Sequence, residues 1–134
     1  MFDHLSLTVS DFENSLAFYR QALQPLGYGS TLLTDGSGRV AGFGRGKVLR
    51  FWISEGAKPT SSVHFAFSAD DHKTVDSFYE QAIATGGRDN GSPGIRNRYH
   101  NSYYAAFVLD PDGNNVEVVC HFPGKIEDQF TASE

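Results

Sequence analysis

The sequence predicts an α+β fold of two tandem βαβββ modules, forming a curled mixed sheet around a groove with the helices on the outside. Three observations lead there. The chain repeats itself sixty residues apart: His4, Asp11, Phe18, Tyr19, Gln21, Ala22 and Gly27 recur as His64, Asp71, Phe78, Tyr79, Gln81, Ala82 and Gly87. Each copy opens on an alternating segment followed by a segment of helical period. Glycine-punctuated apolar runs then supply the remaining strands. The modules are expected at residues 1–58 and 59–122 of a single domain, followed by a polar tail at 123–134.

In the first copy His4, Ser6 and Thr8 fall on one face of a strand and Leu5, Leu7 and Val9 on the other, the period of a half-buried strand. Ser10 and Glu13 have capping-box spacing, and Leu16, Tyr19 and Leu23 recur helically until Pro25 and Gly27. Runs at Ser30–Thr34, Val40–Phe43 and Val48–Ser54 read as a three-stranded meander. In the second copy Val63, Phe65 and Phe67 oppose His64, Ala66 and Ser68. A helix capped at Asp70 or Asp71 buries Val75, Phe78, Tyr79, Ala82 and Ile83. The stretch Gly86–Gly94 reads as a break in regular structure before a strand at Tyr103–Leu109. A DPDGNN turn and a last strand, Val116–Cys120, close the copy.

On that last strand Val116, Val118 and Cys120 face the helix, which sends Glu117 to the polar side with the histidines. His4, His64 and Glu117 therefore line the groove. Two imidazoles and a carboxylate on rigid strands suit a divalent ion such as Zn, Ni, Mn or Fe with positions left open for substrate and water.

Composition narrows the partners. A net charge of −5 over 134 residues, without clustered Lys and Arg, argues against nucleic acid. No apolar run is long enough to span a bilayer. Eleven Phe and six Tyr suit a pocket for a small molecule. The single Cys120 and the absence of a basic, apolar leader after Met1 lead us to expect a reduced, cytoplasmic protein.

The opening HLSLTVSDFENSLAFYRQAL, the second strand HFAF and the closing FVLDPDGNNVEVV resemble the vicinal oxygen chelate superfamily over residues 2 to 121. That superfamily includes glyoxalase I, bleomycin-resistance proteins, fosfomycin-resistance enzymes, methylmalonyl-CoA epimerase and extradiol dioxygenases. The resemblance places His4, His64 and Glu117 at three of the family's four metal positions and implies a homodimer whose sites draw on both chains. Aligning Gly46 with Gly113 puts Arg50 at the fourth position, where a guanidinium cannot ligate a metal.

Other candidates surround this set. Glu117, His100 and Tyr103 are the catalytic candidates, and Arg50, Trp52 and Tyr104 the substrate-binding ones. The expected function is that of a metal-dependent, glyoxalase-like lyase or isomerase acting on a small oxygen-rich substrate. The alternatives are a metal-free drug- or metabolite-binding protein, in which Arg50 pairs with Glu117, and a dioxygenase relative. His72 is expected on the surface, as is His121.

Overall fold

A computed structural model describes residues 2–34, 36 and 38–123. Its elements follow the order β1 (Leu5–Val9), α1 (Phe12–Leu23), a 3-10 turn (Gln24–Leu26), β2 (Gly29–Thr34), β3 (Arg39–Arg45) and β4 (Val48–Glu55). The second half runs β5 (His64–Ser68), α2 (His72–Ala84), β6 (Arg88–Ile95), β7 (Tyr104–Leu109) and β8 (Asn115–Cys120). Two mixed four-stranded sheets result, ordered β1-β4-β3-β2 and β5-β8-β7-β6. In each, the first strand lies parallel to the last and the other pairings are antiparallel. The α+β fold of two βαβββ modules is thus present, with two sheets that are not joined into one closed curl. The polar tail, apart from Pro123, lies outside the described residues.

Strand alternation sends one face of each sheet to the helices. Val9, Phe51 and Ile53 in the first module, and Val108, Val116 and Val118 in the second, are wholly or almost wholly buried. Helix α1 adds Phe12, Leu16, Phe18, Tyr19 and Leu23, and α2 adds Val75, Phe78 and Ala82, so one core serves both modules. The helices pack against each other. Aromatic rings also bridge the modules: Phe51 lies 5.5 Å from both Phe65 and Phe67, and Tyr28 lies 5.8 Å from Phe67. Each such ring contributes about 1.5–3 kcal/mol when removed from water. No helix among the described residues is long and apolar enough to cross a membrane.

Four local features depart from the sequence reading. Helix α1 is capped by Asp11, whose carboxylate accepts from Asn14 N, while Ser10 N donates to Asp112 in the second module. The capping-box residue Glu13 instead pairs with Arg39. Residues 88–95, expected as a break, form β6, where register shifts absorb Gly91 and Pro93 lies on an edge strand that tolerates it. His72 is half-buried and stacks on Tyr104 at 3.9 Å.

The fourth correction concerns the fourth site position. Ser6 pairs with Trp52 and Ala66 with Glu117, so the repeat-equivalent of Glu117 is Trp52 rather than Arg50. Glycine alignment misplaces it because the hairpins differ: two residues separate Arg45 from Val48, whereas five separate Leu109 from Asn115. A bulge adds to the offset, since Phe43 pairs with Phe51 and Gly44 with Leu49, leaving Arg50 without an opposite number.

Candidate functional site

The DPDGNN turn sets the site's position. Asp110, 1% exposed, accepts from Asp112 N, Asn114 N, Asn114 Nδ2 and the Tyr19 hydroxyl. All of its acceptor capacity is used, and the turn is tied to α1 of the other module. From that anchor β8 runs with Asn115, Glu117 and Val119 on the face opposite the helices. Phe107 pairs with Glu117 across β7.

Glu117 is 2% exposed. Its Oε1 lies 2.8 Å from His64 Nε2, and its Oε2 accepts from the Tyr103 hydroxyl. A buried carboxylate with both oxygens engaged is a held group rather than an adaptable surface charge. Burial, and then the carboxylate beside it, push the Tyr103 hydroxyl well above the usual phenol range, so it remains a donor at neutral pH.

The first module presents its own half. His4 precedes β1 and is exposed, with Nδ1 at 2.9 Å from Asp3 Oδ1. The hydrogen bond from His4, which exceeds the small desolvation cost, holds the Asp3 carboxyl below its ordinary value. A carboxylate on Nδ1 fixes the tautomer that leaves Nε2 for another partner. Arg50 donates to Asp3 O at 3.0 Å and lies 3.9 Å from Asp3 Oδ2. It therefore faces Asp3, and the expected pairing with Glu117 does not form. Trp52 lies on the polar face with His4, Ser6 and Ser54, where the four help line a cavity of about 530 Å³.

Two further cavities meet at His64. One, of about 460 Å³, includes Asn90, Arg96, Arg98, Phe107 and Asn115; the other, of about 620 Å³, includes His4, Arg50, Phe51, Phe65, Phe67 and Glu117.

Of the three expected metal ligands, the chain brings two together. No group of three His, Cys, Asp or Glu residues close enough to hold an ion occurs among the described residues. Yet the 2.8 Å between His64 and Glu117 fits a shared ion: two ligands at right angles, each about 2.1 Å from it, stand about 3.0 Å apart. His4, its Nδ1 already on a carboxylate, carries the orientation usual for a ligating histidine. Donor chemistry thus suits a divalent ion, and the halves lie on separate modules.

The remaining candidates disperse. His100 Nε2 lies 2.9 Å from His121 Nδ1, and its ring meets Tyr103 edge-on, so what His100 touches is His121 and the tyrosine that donates to Glu117. Tyr104 departs from its expected role: strand parity turns it to the helices, where its hydroxyl donates to Asp76. Sequence reasoning missed Asp3, Arg96, Arg98 and Asn115. Asp3 beside His4 was a readable signal, and Asn115 comes to His64 through the β5–β8 pairing; Arg96 and Arg98 come to the site only through the β6–β7 hairpin.

Paired βαβββ modules that each present a polar sheet face with one histidine define a class of small-molecule site built from two half-sites. The chain matches the model of the Glyoxalase/Bleomycin resistance protein/Dioxygenase superfamily over residues 1–118, and it belongs to that superfamily. Among solved structures it is similar to a glyoxalase/bleomycin resistance protein from Albidiferax ferrireducens T118, with 28% identity and a TM-score of 0.71; the match covers 90% of this chain and 98% of that one. The fosfomycin resistance protein FosX from Listeria monocytogenes, solved with Mn(II) and 1S,2S-dihydroxypropylphosphonic acid, is 18% identical at a TM-score of 0.64, covering 100% and 98%. Glyoxalase I from Zea mays is 22% identical at a TM-score of 0.63, covering 88% of this chain and 43% of that one. The last two share the fold. Comparison with curated proteins gives no match.

Proposed function

We propose that the chain is a cytoplasmic, metal-dependent enzyme of its superfamily, a lyase or isomerase that acts as a homodimer on a small oxygen-rich substrate. The observation that carries this reading is the 2.8 Å approach of His64 to a buried Glu117 on an open polar face, with His4 on the repeat-equivalent strand of the other module. Within one chain His4 lines the same cleft as His64 and Glu117 without closing on them as a three-residue ligand group among the described residues, which favours a second copy supplying the complementary half. Half-exposed Val48 and Tyr99 are apolar surface that such an association would cover. His4 of one copy would then join His64 and Glu117 of the other. The FosX relative was solved with Mn(II), which supports the choice of a divalent ion.

A bound divalent ion in such a site polarises a substrate oxygen as a Lewis acid. The chain's own groups do the rest. Tyr103 holds Glu117 in place through Oε2, Asp3 holds the His4 ring, and Trp52 offers a flat apolar wall. Arg50, in the lining of the larger cavity, supplies positive charge for an anionic substrate.

Metal analysis of protein purified without chelator tests the proposal. About one ion per chain, lost in Glu117→Ala, is the expected result; metal-free protein with unchanged ligand affinity contradicts it.

The rings of the 620 Å³ cleft favour a second reading, sequestration of a ligand without chemistry. In that case ligand is recovered unchanged and binds equally with and without added metal.

A further inference from the structure

The cavity of about 460 Å³ beside His64 has the opposite electrostatic character to the chain around it. The chain carries a net charge of −5, yet the lining contains the guanidiniums of Arg96 and Arg98 and no carboxylate. Arg96 is fixed: its terminal nitrogens donate to Gly94 O at 2.9 Å and Ser92 O at 2.7 Å, and it lies 5.3 Å from the Phe107 ring centre. Arg98 is exposed and uses one terminal nitrogen on the Tyr99 hydroxyl, leaving donors for a ligand. In the same lining Asn115 holds a buried Oδ1 with no hydrogen-bond partner, an acceptor that calls for a donor such as a hydroxyl and not for the anion itself. Gly91 lets the Phe107 ring and Arg96 pack close against the backbone. Its φ is +149°, and an added Cβ would stand 2.9 Å from the Phe107 ring and 3.1 Å from Arg96.

His64 is the residue this cavity shares with the larger cleft of about 620 Å³, whose apolar lining includes Phe2, Tyr28, Phe51, Phe65 and Phe67. A ligand that fills both must carry negative charge at one end, apolar surface at the other and its middle at His64.

We propose that the natural ligand is such an amphiphilic acid, with its anionic head against Arg98 and its apolar arm between the phenylalanines. This rests on reading the His64–Glu117 pair as the working centre. Arg98 is then the residue that selects an acid over its neutral analogue, because an anion held by a guanidinium gains a charge-assisted hydrogen bond that an alcohol lacks.

Calorimetric titration of the full chain with 4-phenylbutyrate, 4-phenylbutan-1-ol and butyrate tests the assignment. The aromatic acid is expected to bind about tenfold more tightly than either comparison compound. Arg98→Gln should lower it to the level of the alcohol, and Arg98→Lys should recover part of the difference. Equal binding of acid and alcohol overturns the proposal, as does an acid preference that survives Arg98→Gln. Butyrate binding as tightly as phenylbutyrate overturns the apolar arm. The same titration in Glu117→Ala separates the two readings. Acid preference that persists there, in a protein whose wild type holds no metal, sinks the metal centre and leaves the ligand assignment standing; metal without acid preference does the reverse.

Discussion

Glu117 has its neighbours on both sides of the carboxyl, His64 on one oxygen and Tyr103 on the other. Removing the Tyr103 hydroxyl leaves one buried oxygen short of a donor, so Tyr103→Phe should cost about 1 kcal/mol in denaturant unfolding. The tyrosines also set the alkaline limit. Tyr19, Tyr103 and Tyr104 are all raised, chiefly by burial and further by a carboxylate partner. For a group raised in the fold, the stabilisation is fully present below its unfolded value, about 10 for tyrosine, and is lost as pH rises through the folded one. Melting temperature should therefore show no tyrosine-linked loss up to about pH 10 and fall above it, with a shallower fall in Tyr103→Phe. At this scale strand parity made much legible: alternation alone sent His64 and Glu117 to one face and Cys120 to the other. What a residue touches across elements was not legible, which is why Tyr104 and His100 go to Asp76 and His121.

Among the elements, the β7–β8 turn does the most for the site. Asp110 gathers four donors inside the fold, one of them from α1. Asp110→Ala strands those donors and should destabilise the protein by about 3 kcal/mol, lowering the melting temperature by about 10 °C in a thermal scan. An unchanged melting temperature would mean that the turn holds its shape without the carboxylate. The turn was readable from DPDGNN, since Asp, Pro, Gly and Asn each favour its backbone. Strand β6 was not. Its sequence, RDNGSPGI, has turn composition, and pairing with β7 overrides local preference by accommodating the excess in bulges. The same physics moved the fourth position: a bulge at Arg50 and unequal hairpins put Trp52, an indole, opposite Ser6.

At the scale of the molecule, the repeat foretold two alike modules but not how they face each other. The helices and the Phe51, Phe65 and Phe67 rings join the modules through their apolar sides, and His4 lines the cleft of the His64–Glu117 pair without forming a three-residue ligand group with it among the described residues. In the proposed homodimer a second copy would supply the missing ligand, and a twofold axis would produce two equal sites. Light scattering should accordingly report a dimer. The most direct measurement mixes His4→Ala with Glu117→Ala after unfolding and refolding them together, then counts bound metal. Each variant alone should hold none. In the mixture half the dimers are mixed and carry one intact site each, so about a quarter of the wild-type metal should return. No recovery would contradict a site shared between copies, and full occupancy of either variant alone would contradict the ligand set itself.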